Sequence, residues 1–277
     1  MRDPKHPKLW TVLFAIVAVA YLFPILLVLI NSFKGKVFVS SEPFALPNAE
    51  TFVGLENYIT GIAKTDFLSS FGWSLVITIG SAFLILLCTS MTAWWIVRTD
   101  NRFAKSLYIV FLFNLVVPFQ MVMFTLSWLT DYLGLGNPFG LWIVYLGFGA
   151  GLAVFIFTGF VKGIPTEIEE AATIDGCGPV RTFFLVVLPI MKPAVITVAI
   201  LEVMWLWNDY LLPYLTLDMR KYKTVPIAVQ YLKGGYGTVD MGAMMGVLVL
   251  AMIPVIIFYL FSQKHIIKGV VAGAVKG

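Results

Sequence analysis

An all-α integral membrane protein with six transmembrane helices is the fold class that three properties of this sequence predict. The residues are 60% hydrophobic and only 12% charged, about half the roughly 25% charge of soluble domains. Those few charges divide the chain into runs long enough to cross a hydrocarbon core, which takes about 20 apolar residues as helix. Basic residues concentrate in every second connection, as they do when alternate connections face the cytoplasm.

The first run, Leu9 to Phe33, contains 25 uncharged residues. Basic residues precede it, as in a secretory signal, but such a signal has an apolar core of about 7 to 15 residues and a small-x-small cleavage site. Asn31-Ser32-Phe33-Lys34 offers no such site, so 9–33 is expected to be a retained helix. Residues 34–70 form a loop with Pro43 and Pro47, in which Phe52 to Ile59 mixes apolar and polar residues and suggests a short surface helix.

Phe67 to Val97, Ser106 to Thr130 and Tyr132 to Val161 are the second, third and fourth uncharged runs. Pro118 is expected to kink the third, because proline frees backbone groups within a helix. The fifth run, about Met191 to Tyr214, is apolar but carries Glu202 and Asp209. A second long loop, 215–240, holds Arg220, Lys221 and Lys223, then Lys233-Gly234-Gly235-Tyr236-Gly237. Met241 to Gln263 is the sixth run, and residues 264–277 form a small basic tail. No repeat or low-complexity tract divides the chain, so one domain over 1–277 is expected, with a core at 67–263 and a polar loop at 162–190.

Six spans place both termini on one side of the membrane. If that side is the cytoplasm, the inner segments hold Arg2, Lys5, Lys8, Arg98, Arg102, Lys105, Lys162, Arg181, Lys192, Lys264, Lys268 and Lys276, twelve of the nineteen basic residues. The others lie in the two long loops, which count weakly. The net charge of +4 is this bias rather than a nucleic-acid footprint, since basic residues are scattered over both faces.

Enzyme chemistry is disfavoured. The chain has no Gly-x-x-x-x-Gly-Lys-Ser/Thr loop to cradle phosphates, and Gly35-Lys36-Val37 is a fragment in an outer loop. His6 and His265 stand near opposite ends, far from any buried serine. Cys88 lies in a span and Cys177 in a connection, with no metal or redox spacing, so both are expected to be unpaired thiols.

The connection at 162–190 reads as two short helices with a tight corner. Thr166 followed by Glu169 has capping-box spacing, predicting a first helix from near Glu167. Asp175-Gly176 can end it, because glycine accepts the left-handed conformation common past a helix C-terminus. Pro179 suits the first turn of a second helix, and Pro189 is expected to limit it. Glu167, Glu169 and Glu170 cluster acidic charge beside the small Ala171 and Ala172, and Phe183, Phe184, Val187 and Leu188 give the second helix an apolar face. Such a surface can pack on its own bundle or receive another protein.

Glu202 and Asp209 are costly in lipid, by about 2.5 to 3.5 kcal/mol each near a helix centre. Seven residues apart on a helix, they share nearly one face, with Trp205 and Asn208 between them. That stripe of an aromatic and hydrogen-bonding groups suits sugar rings; equally, the carboxyls could bond neighbouring helices. Asn114 and Gln120, flanking Pro118, are weaker candidates for a pathway.

The stretch from Glu170 to Pro193 resembles the EAA loop of ATP-binding-cassette importer permeases, with Glu170, Ala171, Ala172, Asp175, Gly176, Leu188 and Pro189 at the motif's Glu-Ala-Ala, Asp-Gly and Leu-Pro positions. Tyr21-Leu22-Phe23-Pro24, Val117-Pro118-Phe119-Gln120, Trp207-Asn208-Asp209-Tyr210 and Ala272-Gly273-Ala274-Val275-Lys276-Gly277 extend the resemblance to carbohydrate-importer permeases of the maltose-transporter type, over nearly the whole chain. The resemblance implies a type I importer fold in a bacterial cell membrane. It implies a second related permease subunit, two ATPase subunits holding ATP and magnesium, and an external sugar-binding protein, with no cofactor in this chain. It further implies that the hairpin seats in the ATPase with Glu170 meeting a basic partner, that Lys233 to Gly237 enter the binding protein's cleft, and that residues 270–277 reach the ATPase; for the candidate pathway residues Glu202, Trp205, Asn208, Asp209 and Tyr210 it supports importance without deciding between bordering the sugar path and bonding neighbouring helices. A permease for another solute would keep the EAA loop. An ion-coupled carrier would not need it and normally has inverted halves, which are not found here.

Overall fold

In a computed structural model, the backbone is described over residues 7–232 and 239–274, and side chains over 8–232 and 239–264. The helices in chain order are α1 (Pro7–Asn31), α2 (Lys36–Ser41), α3 (Glu56–Thr65), α4 (Phe67–Arg98), α5 (Arg102–Val116), α6 (Phe119–Tyr132), α7 (Pro138–Val161), α8 (Thr166–Ile174) and α9 (Pro179–Thr182). A π-helical turn, Phe183–Val187, leads into α10 (Leu188–Ile190), followed by α11 (Lys192–Asn208), α12 (Leu211–Thr216), α13 (Val225–Tyr231) and α14 (Met241–Ala274). Four helices, α1, α4, α7 and α14, are each long and apolar enough to cross a membrane. Two bent pairs complete the expected six spans: α5 with α6, turned by 105°, and α9–α10 with α11, turned by 78°. The first bend falls at Val117-Pro118, where Pro118 is extended with ψ 138°.

The residues group into two compact units, Met1–Ser70 with Val225–Pro254, and Phe71–Thr224 with Val255–Gly277. In the first unit, α1 exposes Leu9, Phe14, Val19, Leu22 and Leu26 along its length. After α1 the chain is pinned by polar contacts. The buried Asn57 donates through Nδ2 to the carbonyls of Ser32 and Lys34 at 2.9 and 2.7 Å, and the buried Lys34 Nζ donates to the carbonyl of Glu42 at 2.7 Å. The surface helix expected from Phe52 starts later, at Glu56, because Phe52 pairs in an antiparallel bridge with Lys34 and Gly54 adopts φ +58°. Helix α3 then meets α14 closely: a Cβ on Gly61 would lie 3.0 Å from the carbonyl of Ala243. Lys64 pairs with Asp240 at 2.6 Å across the same junction.

In the second unit the core is built around α7, whose Tyr145, Val154 and Phe157 are fully buried with Ile85 of α4 and Val198 of α11. Glycines bring backbones together, so that a Cβ on Gly80 would strike the ring of Trp142 and one on Gly151 would lie 2.9 Å from the Phe111 carbonyl. Helix α7 begins at Pro138 rather than Tyr132. Gly134 turns the chain with φ +66°, and Asn137 caps the helix by accepting the N–H groups of Phe139 and Gly140 at 3.1 and 3.0 Å, with proline at the favoured first position. Helix α14 runs to Ala274, so most of the small basic tail at 264–277 continues the last span as helix. Gly269 is its one glycine between Lys264 and Ala272, and a helix interior tolerates one at about 1 kcal/mol.

Candidate functional site

The hairpin at 162–190 has the predicted two limbs, but its first turn is built differently. Helix α8 starts at Thr166 after Pro165, without a side-chain cap. The Glu169 carboxylate, which a capping box would fold back on the helix start, is taken by α4: Oε1 accepts from Arg98 Nε at 2.9 Å and Nη2 at 2.7 Å, and Oε2 accepts from Trp94 Nε1 at 2.9 Å. A charged guanidinium outcompetes a backbone N–H for a carboxylate.

The corner follows the sequence reading. Gly176 has φ +81°, its N–H bonds the Thr173 carbonyl at 3.0 Å, and the Cys177 N–H bonds that of Ala172 at 2.9 Å. This is the Schellman arrangement, which closes the last carbonyls of a helix. Pro179 opens the second limb as expected. Pro189 does not stop it, contrary to expectation. The chain widens into the π turn, where the Leu188 N–H reaches back five residues to the Phe183 carbonyl; the shifted pattern lets a residue without an N–H sit in α10.

Outward, the hairpin presents Glu167, Glu170, Ala171, Asp175, Gly176 and Pro189. Ile174 and Val180 are 86% and 63% exposed at the corner, and Leu185 is also exposed. Inward lie Ala172, Phe183 and Val187, all buried, with Leu188 half-buried. Ala172 therefore belongs to the packed side, and of the two alanines only Ala171 is accessible. Near the hairpin's entry, Lys105 hydrogen-bonds and attracts Asp100 at 2.6 Å, holding that exposed carboxyl below its ordinary range.

The carboxyl stripe expected on the fifth span is broken. Helix α11 ends at Asn208, and Asp209 is extended with ψ 124°, so the sevenfold spacing does not act through a continuous helix. Asp209 instead caps the next turn, accepting the Leu211 N–H at 3.0 Å, and takes the Tyr145 hydroxyl on Oδ2 at 2.9 Å. Trp205, partly exposed, stands edge-on to the Tyr145 ring with centroids 5.4 Å apart. Glu202 is fully buried, and a Cβ on Gly149 would lie 2.9 Å from its Oε2; this oxygen has no hydrogen-bond partner among the described residues. Asn208 is exposed and turns to its own helix, at the Met204 carbonyl. Tyr210 stacks on Tyr214 at 5.0 Å. Thus Tyr145, Trp205 and Asp209 are brought together by contacts in which Glu202 and Asn208 take no part.

Asn114 donates to the Gly147 carbonyl at 2.8 Å, joining α5 to α7, and Gln120 is exposed on α6. The residues expected to enter a binding protein, Lys233, Gly234, Gly235, Tyr236 and Gly237, lie outside the described residues, as do 275–277 of the tail. The sequence reading missed a cleft of about 740 Å³ bordered by Trp128, Asp131, Asn137, Asp218, Lys221 and Tyr222. Its residues are dispersed over a hundred positions, and only Gly134 and Asn137, as turn and cap signals, hinted at the local geometry. Arg98 and Trp94 were missed too, because nothing in their spacing marks a partner 71 residues away.

Residues 85–271 match the family described as binding-protein-dependent transport system inner membrane component. A probable starch degradation products transport system permease protein, AmyC, from Thermoanaerobacterium thermosulfurigenes is 36% identical over 97% of this chain and 96% of its own length. The multiple sugar-binding transport system permease protein MsmG of Streptococcus mutans is 33% identical over 99% of both chains. Among solved structures, a bacterial ATP-binding-cassette transporter that imports the acidic polysaccharide alginate has a chain of the same fold, with a TM-score of 0.77 at 22% identity, covering 95% of this chain and 99% of that one. Permeases of such importers work with ATPase subunits and a substrate-binding protein. With six spans in place and matches running the length of the molecule, the chain belongs to the family of binding-protein-dependent transport system inner membrane components.

Proposed function

We infer that this chain is one of two related permease subunits of an ATP-driven importer, and that it carries a sugar of oligosaccharide size handed over by an external binding protein. Relatives named for starch degradation products, for melibiose, raffinose and stachyose, and for arabinooligosaccharides support that substrate class. Both termini and the hairpin face the cytoplasm in this reading, as the basic residues favour. ATP and magnesium are held by the partner ATPase.

One observation carries the mechanism: the hairpin's corner offers a mixed surface left exposed among the described residues. Ile174 and Val180 are strongly exposed beside Glu170 and Asp175, an apolar centre with a charged rim of the kind that protein interfaces use. Glu170 meets a basic residue of the ATPase; Ala171 permits close approach; Asp175 and Gly176 hold the corner; Ala172 and Leu188 keep the limbs packed, and Pro189 faces outward with the docking side. Closure of the ATPase dimer then displaces the hairpin and, with it, the spans. Trp205, Asn208 and Tyr210 border the path together with Asn114 and Gln120; Asp209 holds the turn after α11 against α7 through Tyr145, and Glu202 is buried against Gly149 of α7. The loop at 233–237 engages the binding protein.

Glu170→Arg in the reconstituted complex tests the reading. It is expected to release the ATPase on purification and to abolish ATP-dependent uptake of maltooligosaccharides, raffinose or arabinooligosaccharides by vesicles supplied with the cognate binding protein. Undiminished co-purification and uptake, or uptake by the wild type driven by an ion gradient instead of ATP, overturns it.

A further inference from the structure

We propose that Trp94 and Arg98, one turn apart on α4, clamp the hairpin to the end of that span so that the two move as one body, with Glu169 withheld from the ATPase for this purpose. The inference rests on the hairpin being the ATPase's docking site, and it assigns the route by which displacement leaves that site.

Residues four apart lie on one helix face, and this face holds the hairpin at three places. Arg98 Nη2 donates to the Ile164 carbonyl at 2.8 Å, fixing the hairpin's entry. Arg98 and Trp94 together occupy both oxygens of Glu169 on α8. The Trp94 ring packs on Phe183 of the second limb, with centroids 5.6 Å apart and planes at 42°, and Phe183 is fully buried. Entry, first limb and second limb are therefore gripped by one turn of one span. The Arg98 and Glu169 side chains are only 19% and 13% exposed, so water screens their attraction much less than it would at the surface.

The position of Glu169 separates it from its neighbours. Glu167 and Glu170 are exposed on α8 while Glu169 turns inward. The three acidic residues divide into two that a partner can reach and one that the chain itself uses. Short charge-assisted contacts at fixed angles resist shear in a way that apolar packing alone does not, because displacement leaves a nearly buried charge without its partner. Arg98 and Trp94 are positioning residues: they touch neither sugar nor ATP.

The test uses the whole importer in lipid discs, with Cys88 and Cys177 replaced by serine and spin labels placed on Thr166→Cys in α8 and Ile79→Cys in α4, the latter about 30 Å along α4 from Arg98. Electron–electron distances are compared between the resting complex and the complex trapped with ATP and vanadate. With the clamp intact, a single distance is expected that does not change on trapping. With Glu169→Ala or Arg98→Gln, trapping is expected at least to double the width of the distribution, while Arg98→Lys keeps it narrow; ATPase co-purification stays at the wild-type level throughout. A distance that changes on trapping with the clamp intact overturns the proposal and needs no clamp variant to be read. So does an unchanged distribution in Glu169→Ala, or loss of the ATPase from that variant, which would move Glu169 to the docking face. Glu170→Arg distinguishes the two readings: retained ATPase removes the docking role and the clamp's purpose with it, whereas released ATPase in that variant, together with a distance that shifts on trapping in the complex that keeps Glu170 and the clamp, removes the clamp alone.

Discussion

The Tyr145 hydroxyl donates to Asp209 Oδ2 at 2.9 Å, tying the middle of α7 to the residue at which α11 stops. Asp209 spends its other oxygen on the Leu211 N–H, so one carboxylate both ends a helix and anchors the end to a neighbour. The costly charge of the fifth span thus has a structural use that composition alone does not reveal.

Interhelical hydrogen bonds in membranes average about 0.6 kcal/mol and reach about 1.7. Tyr145→Phe is expected to lower the stability of the purified complex within that range and to leave uptake measurable. Asp209→Ala removes the turn's cap as well, which adds about 1 kcal/mol, and is expected to have the larger effect. Thermal unfolding followed by tryptophan fluorescence compares them; equal melting temperatures for the two variants would contradict the double role.

Gly149→Ala places a methyl 2.6 Å from Ile85 Cδ1 and 2.9 Å from Glu202 Oε2. Overpacking of this kind costs about 1 to 3 kcal/mol. The pair Gly149→Ala with Ile85→Val is expected to recover part of the loss, measured as the denaturation midpoint. No recovery would mean that the strain falls on Glu202 instead.

At the hairpin corner, Gly176→Ala forces a side chain into φ +81°, a conformation that costs an ordinary residue about 1 to 2 kcal/mol. The ATPase is expected to co-purify less tightly, with Gly176→Pro more severe. Retention at high salt is a simple measure, and wild-type retention for Gly176→Pro would contradict a docking role for the corner.

The Lys64–Asp240 pair supports a pH prediction. Partial burial tends to raise the Asp240 carboxyl, but the hydrogen bonds from Lys64 and the Ala243 N–H, with the charges of Lys64 and Lys36, outweigh it and hold the group below its ordinary range. A depressed folded value means stability present above the unfolded value, about 3.9, and lost as pH falls through the lower folded one. Lys64→Met is therefore expected to be slightly less stable than wild type from about pH 5 to 8, with the difference shrinking below about pH 3.9 and vanishing once the pH falls below the lower folded value. A gap that widens on acidification would contradict the assignment.

Span number, the hairpin's corner and the bend at Pro118 were legible because each depends on local chemistry: uncharged length, a glycine past a helix end, a proline within a run. What stayed hidden depends on long-range partners. The capping-box spacing of Thr166 and Glu169 is real, but Arg98 offers a better donor. The helical stripe through Glu202 and Asp209 assumes a continuity that Asp209 itself ends. Pro189 passes as a stop signal until the widened turn before it is seen.

That widened turn, Phe183–Val187, also constrains how the chain can change. A π turn carries one residue more than regular winding needs. Deleting any one of the five would restore even coiling there and leave the flanking turns in phase, yet would return Pro189 to regular α winding, where its missing N–H and its ring oppose the helix. The segment is intolerant of shortening because of the proline that follows it, whatever the identity of the residue removed.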